Sequence, residues 1–171
     1  MSYITKNNVV PCLDVNKSLD FSNCDWVPID LSEIFELTIG EVETERNFIC
    51  FANPSTDVTG NDVELPQEII MDKDNDMYQF IIAQIKSLPI GADCHVPCMI
   101  CFPDETDGTF KSGADAWRYI ATLTGKVLNT PDQKASFTIK KYSDIEQGTY
   151  EVSESQGVKT ITFIPSNSSQ G

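Results

Sequence analysis

Between residues 118 and 140 the sequence alternates between apolar and polar side chains, and this period of two restricts the chain to a β-rich fold. One face of the first run carries Tyr119, Ala121, Leu123 and Val127, and the other carries Arg118, Thr122, Thr124 and Lys126, with Ile120 as the exception. The second run sets Ala135, Phe137 and Ile139 against Ser136, Thr138 and Lys140. Turn-forming residues at 129–133 join the two runs. Alternation of this kind is typical of antiparallel strands with one face in a core and the other in water.

Further strands are predicted at both sides of this hairpin. The short apolar runs at 46–51 and 96–102 are two candidates, and segments 148–153 and 158–164 are two more. The predicted fold class is therefore mainly β, an antiparallel β-barrel or sandwich with one flanking α-helix.

One helix is predicted after residue 75. Asp76 can cap its start, with Gln79 three positions later as in a capping box. An apolar stripe at helical spacing follows, made of Met77, Phe80, Ile81, Ile85 and Leu88. Pro89 and Gly91 end the helix. The stripe is expected to pack on the sheet.

The chain divides into three predicted parts. Residues 1–25 are expected to form an irregular N-terminal arm, because they combine Pro11 with several Asn and Ser residues. Residues 26–165 form the β-domain. Residues 166–171 are Ser, Asn, Gln and Gly, which predicts a disordered C-terminal tail.

The composition is strongly acidic. Among 171 residues the formal net charge is −14 and the pI is near 4.2. Such a chain repels phosphate, which disfavours a conventional nucleic-acid-binding role. No run of about 18 apolar residues predicts a membrane span. Residues 1–8 lack the apolar core of a signal peptide, so the chain is expected to stay in the compartment where it is made.

Cysteine provides the main candidate for chemistry. Six are present: Cys12, Cys24, Cys50, Cys94, Cys98 and Cys101. The last three have the C-x3-C-x2-C spacing that radical-SAM enzymes use for an iron–sulfur cluster, but those enzymes place it in a much larger α/β barrel. On one regular strand Cys98 and Cys101 would point to opposite faces, unless Pro97 breaks that strand. His95, next to Cys94, is the only histidine and is poorly placed to serve it as a base. We therefore predict free thiols, no cofactor, no metal and no enzymatic activity.

The order of several segments resembles the phage major tail tube protein family, of the siphophage type and related to contractile-tail and tailocin tubes. The matching segments are 26–33 (WVPIDLSE), 41–49 (EVETERNFI), 53–60 (NPSTDVTG), 74–81 (DNDMYQFI), 116–119 (AWRY), 136–139 (SFTI) and 148–150 (GTY). The resemblance runs from about residue 26 to residue 152, and it depends on order and spacing. The cysteine cluster at 94–101 and the long segment before Trp26 depart from the family's pattern.

The resemblance implies a structural virion protein with the tail tube fold. Six copies would form a ring, each giving about four strands to one inner barrel, and the rings would stack into a tube that delivers phage DNA. A barrel of 24 strands, at ~4.8 Å spacing and ~40° tilt, would be roughly 50 Å across. The implied partners are other copies, tape measure protein and genomic DNA in the lumen, and tail terminator and baseplate or distal tail proteins at the ends. The implied location is the virion tail, with assembly in the host cytoplasm.

The polar, glycine-containing segment 53–65 is expected to be a loop. The resemblance implies that it is a stacking loop, and Asp57, Thr59 and Asn61 are the predicted ring-to-ring contacts. A free surface loop is the alternative.

Three other functions remain open at this point. A small metal or iron–sulfur binding protein would use Cys94, Cys98 and Cys101. A β-sandwich binding module of the adhesin type would be a stable monomer. A tube subunit of a contractile tailocin or injection system would belong to the same structural class.

Overall fold

The computed structural model describes residues 9–34, 36–46, 55–103 and 112–166. Nine strands lie in these ranges: β1 (Val10–Asp14), β2 (Trp26–Pro28), β3 (Thr38–Arg46), β4 (Ser55–Ile70), β5 (His95–Cys101), β6 (Asp115–Asn129), β7 (Lys134–Lys141), β8 (Glu146–Ser155) and β9 (Val158–Pro165). One α-helix, α1 (Asp76–Ser87), and a 3-10 helix at Gly91–Cys94 lie between β4 and β5. The predicted mainly-β class with one helix is confirmed.

All strand pairs in the described part of the chain are antiparallel. The strand order is β2-β1-β5-β6-β7-β4-β3, and β8 and β9 branch from β6. A single bridge between Ser32 and Ile69 connects the segment after β2 to the end of β4. Within the described residues the sheet does not close into a barrel.

Strand β6 is the branch point of the sheet. Its first residues, Asp115–Arg118, pair with β8, while the segment from Ala116 to Thr122 pairs with β5 on the other side. Its second half pairs with β7. A register shift between Thr124 and Val127 accompanies Gly125, whose φ of +59° is costly for other residues. Val127 consequently leaves the buried face predicted for it and is exposed.

Two hydrophobic cores lie on opposite faces of β5 and β6. The first, covered by α1, contains Leu13, Val63, Leu65, Ile69, Met77, Ile81, Val96, Cys98, Ile100, Tyr119, Leu123, Phe137 and Ile139. The second lies under β8 and β9 and contains Cys12, Trp26, Met99, Cys101, Ala116, Tyr150, Ile161 and Phe163. β5 is buried on both faces, so its sequence lacks clean alternation, whereas β6 keeps the alternation seen in its sequence.

The second core is closed at its rim by Arg118. The guanidinium carbon of Arg118 lies 4.3 Å from the ring centroid of Phe21 and 4.4 Å from that of Phe163. The same guanidinium donates two hydrogen bonds to Glu146. A cation between two aromatic faces connects the loop after β1 to the last strand.

Helix α1 begins and ends close to the predicted positions. Asn75 is the N-cap, since its side chain accepts a hydrogen bond from the Tyr78 backbone N–H at 2.9 Å. The predicted cap, Asp76, is instead the first helical residue, so the capping-box prediction is wrong by one position. Met77 and Ile81 are buried, and Phe80 and Ile85 pack against the first core as the stripe predicted. Leu88 is exposed and does not join the stripe.

The predicted irregular arm is wrong for residues 10–14. They form β1, which pairs with both β2 and β5, with Leu13 in the first core and Cys12 in the second. A strand buried on both faces shows no period of two, and Pro11 further obscures it. Of the predicted disordered tail, Ser166 donates a backbone hydrogen bond to Gln147. Residues 167–171, and residues 47–51 of one predicted strand, lie outside the described residues.

The longest described helix has 12 residues. None of the helices in the described ranges is both long and apolar enough to span a membrane.

A substitution at Gly148 tests how closely β8 packs on β9. A Cβ at this position would overlap the Ile164 backbone oxygen and come within 2.6 Å of the Phe163 ring. We expect Gly148→Ala to lower the free energy of unfolding by about 1–3 kcal/mol, the usual cost of overpacking. Gly40→Ala is the matched control, because a Cβ there meets nothing closer than 3.7 Å. Equal urea-unfolding midpoints for the two variants would contradict the described packing.

Candidate functional site

The cysteine cluster is divided among different parts of the fold. Cys94 ends the 3-10 helix, and its thiol donates to the Pro89 carbonyl at 3.1 Å. Cys98 and Cys101 lie on β5, which continues unbroken through Pro97. Cys98 belongs to the first core and Cys101 to the second, so the two thiols point to opposite faces as the sequence indicated.

The thiols of β1 and β5 are fully buried. Burial raises the pKa of Cys98 to about 12. A thiol–thiol hydrogen bond with Cys101, together with burial, raises the pKa of Cys12 well above its ordinary value. Burial also raises the pKa of Cys24 to about 12. A thiol that keeps its proton is a poor nucleophile and a poor metal ligand.

The arrangement gives little support to metal or nucleophile chemistry. In the part of the chain that the structure describes, no group of three His, Cys, Asp or Glu side chains could hold a metal ion. The His95 ring stacks on Tyr142, with 3.9 Å between ring centroids. The cysteines are better explained as small apolar residues of two cores.

A two-stranded ribbon is the more informative feature. β3 pairs with β4 along its whole length, from Thr38 opposite Glu64 to Arg46 opposite Ser55. β7 pairs with β4 only from Glu64 onward. The ribbon of residues 38–46 and 55–63 therefore extends beyond the rest of the sheet. A two-stranded ribbon alone is marginally stable in water.

The predicted stacking loop lies in this ribbon. Asp57, Thr59 and Asn61 belong to β4, so the prediction that 53–65 is a loop is wrong from residue 55 onward; residues 53 and 54 lie outside the described range. Thr59 is an extra residue between the pairs Val42–Gly60 and Glu43–Val58, and so forms a β-bulge. The bulge explains why this strand contains residues that are typical of turns. The hydroxyl of Thr59 donates to the Val42 carbonyl at 3.0 Å. The role of these residues in ring contacts stays a prediction.

The ribbon exposes apolar side chains that the sequence analysis did not identify. Ile39, Val42 and Val58 are each about half exposed, at 47%, 51% and 55%. On β3, Ile39 and Val42 are three positions apart with Gly40 and Glu41 between them, so the apolar residues show no period of two. β3 is also the end of the strand order, and no described strand pairs with its outer edge. A strand edge without a partner, next to exposed valines, is the kind of surface on which another chain can pair or pack.

A groove lies at the base of the ribbon. Its volume is about 550 Å³, and its walls include Ile39, Val63, Trp117 and Ile145, with Asn61, Lys141, Asp144 and Gln147 among the polar residues. The Trp117 ring packs edge-on against Phe102 at 4.8 Å between centroids, which fixes one wall.

Comparison with known proteins finds distant structural similarity and no sequence match. No protein-family model matches the chain, and no curated protein matches it. The chain is similar to one in the tube-terminating cap of the anti-feeding prophage, with 11% identity, a TM-score of 0.49, and coverage of 87% of this chain and 93% of that chain. A chain of the anti-feeding prophage baseplate gives 11% identity, a TM-score of 0.46, and coverage of 81% and 89%. A third similar chain belongs to the PVC sheath–tube complex, an extracellular contractile injection system in its extended state. It gives 8% identity, a TM-score of 0.45, and coverage of 86% of this chain and 92% of that chain. All three TM-scores lie below 0.5, and these similarities assign no function to this chain.

Thiol labelling tests whether the cysteines are structural. At pH 8 a thiol with a pKa of about 12 is ionised in roughly one molecule in 10⁴. Because Cys12, Cys98 and Cys101 are fully buried, we expect all three to resist iodoacetamide in the native protein and to react fully in guanidinium chloride, as read by peptide mass spectrometry. Rapid native labelling of Cys98, or equimolar iron or zinc in protein purified without oxygen, would revive the metal-binding alternative.

Proposed function

We propose that this chain is a structural, non-enzymatic subunit that polymerises as stacked hexameric rings into a tail tube of the phage type. The order of matching segments from residue 26 to residue 152 supports the family. The mainly-β fold with one helix is of the class that the family requires. A tube from a flexible tail and one from a contractile system both satisfy these observations.

The observation that carries the proposal is the projecting ribbon with its unpaired edge. Pairing of β3 with a strand of another copy would satisfy its free backbone groups, and copies packed on the two faces of the ribbon would cover Val42 and Val58. Closing a sheet across subunits is the general way to remove exposed edges. A contact that repeats head to tail gives rings or open tubes, depending on whether the rotation closes.

The ribbon also suits a channel wall because it is acidic. β3 carries Glu41 and Glu43 at alternate positions, so these two exposed carboxylates share one face of the ribbon. A lumen lined by carboxylates would repel phosphate, so genomic DNA could slide through without adhering. Tape measure protein would occupy the same lumen before DNA, and terminator and baseplate or distal tail proteins would cap the tube ends. In this arrangement Asp57, Thr59 and Asn61 would contact the adjacent ring.

Val58→Lys tests the ribbon as an assembly surface. Because Val58 is exposed and lies opposite Glu43, we expect the free energy of unfolding to change by less than about 0.5 kcal/mol. Burying an ammonium between copies should raise the concentration needed for assembly by at least about 10-fold. Negative-stain microscopy and sedimentation velocity measure assembly.

Val158→Lys is the matched control for this experiment. Val158 is 64% exposed at the β8–β9 turn, far from β3 in the strand order. Equal assembly of both variants would remove the ribbon from the interface. Wild-type protein that stays monomeric at high concentration under all conditions would overturn the proposed function.

DNA binding by assembled tubes tests the acidic channel. Tubes in low salt should retain no more duplex DNA than an equal mass of monomer, since screening is weakest there. Tight retention of DNA, measured by co-sedimentation, would contradict a sliding channel while leaving the tube itself in place.

A further inference from the structure

The connection between α1 and the 3-10 helix carries an apolar knob, formed by Leu88, Pro89 and Ile90. Leu88 is 79% exposed and Ile90 is 84% exposed, which makes them the most exposed large apolar residues in the described ranges. Exposure of two aliphatic side chains, two positions apart in sequence, to water is energetically unfavourable for a free monomer.

Leu88 is also held in an unfavourable backbone conformation. It ends α1 with φ of 49° and ψ of 55°, the left-handed region in which glycine is preferred. Its backbone N–H donates to the Ile85 carbonyl. A glycine would make the same turn with less strain, so the leucine side chain has a use that the isolated chain does not explain.

The groove at the base of the ribbon is large enough for these side chains and has apolar residues in its walls. Its volume of about 550 Å³ is within the ~300–1,000 Å³ range of pockets that hold small molecules, which leaves room for two aliphatic side chains. The walls that would receive them are Val63, Trp117 and Ile145.

Charges beside the knob and the groove are complementary. Lys86 is exposed two residues before Leu88, and Asp144 is exposed at the groove. Among the described residues neither has an ion-pair partner within the chain. Lys141 at the groove could likewise face Asp93, although Lys17 already contacts the Asp93 carbonyl.

Resting on the proposed tube function, we propose that the Leu88–Ile90 knob of one copy inserts into the Val63–Trp117–Ile145 groove of a second copy, with Lys86 facing Asp144. The two surfaces are different, so the contact is heterologous and can repeat without limit. It adds a side-chain contact to the strand pairing of the ribbon, since a knob of this size alone covers less surface than a stable interface needs.

The variant Leu88→Gly distinguishes an effect on assembly from an effect on folding. The glycine relieves the left-handed backbone, so the melting temperature should stay the same or rise. The loss of the side chain should raise the concentration needed for assembly by at least 10-fold, measured by sedimentation velocity and negative-stain microscopy. Ile90→Ser provides a second variant that leaves the turn unchanged, and the same assembly defect is expected.

A charge exchange tests the partner surface. Lys86→Glu and Asp144→Lys should each weaken assembly by placing like charges together, and the double variant should recover most of the wild-type assembly. Lys73→Glu is the control, because it makes the same charge change just before the opposite end of α1. Normal assembly of Leu88→Gly and Ile90→Ser, or no recovery in the double variant, would overturn the knob contact while the tube function stands. Failure of the wild-type chain to assemble would overturn both.

Discussion

The branching of β6 determines the rest of the structure. A strand in a flat sheet has two neighbours, but β6 pairs with β5, β7 and β8 along different parts of its length. The sheet therefore splits into two layers that diverge from one strand, and each layer encloses a separate core. Every other element takes its place from this division: α1 covers the first core, β9 covers the second, and β1 lies between them.

This division also explains the cysteines. Successive positions on β1 and β5 supply different cores, so both strands need small apolar residues on both faces, and cysteine meets that need. On a loop, a C-x3-C-x2-C spacing would favour a metal or iron–sulfur cluster. On a strand between two cores, Cys98 and Cys101 are instead buried apolar residues. The spacing alone does not distinguish the two cases; the decisive fact is that Cys98 and Cys101 lie on one regular strand, where a separation of three puts the thiols on opposite faces.

Sequence reasoning succeeded where one element has one buried face. The apolar stripe of α1 and the alternation of β7 follow local periodicity, so their positions could be predicted. It failed for β1, which is buried on both faces, and for β4, where Gly60, Asn61 and a bulge imitate a loop. β4 is a strand because β3 and β7 pair with it, and pairing of this kind outweighs local propensity. The groove could not be predicted, since Val63, Trp117 and Ile145 are distant in sequence.

The Arg118 contact has a consequence for how the chain unfolds. Its guanidinium lies between a ring from the loop after β1 and a ring from the last strand, close to the two ends of the described sequence. Detachment of β9 would remove one of the two aromatic rings from the Arg118 guanidinium and open the second core, which contains Phe163. One side chain thus couples an early and a late part of the described sequence, so that opening of β9 weakens a contact of the loop after β1.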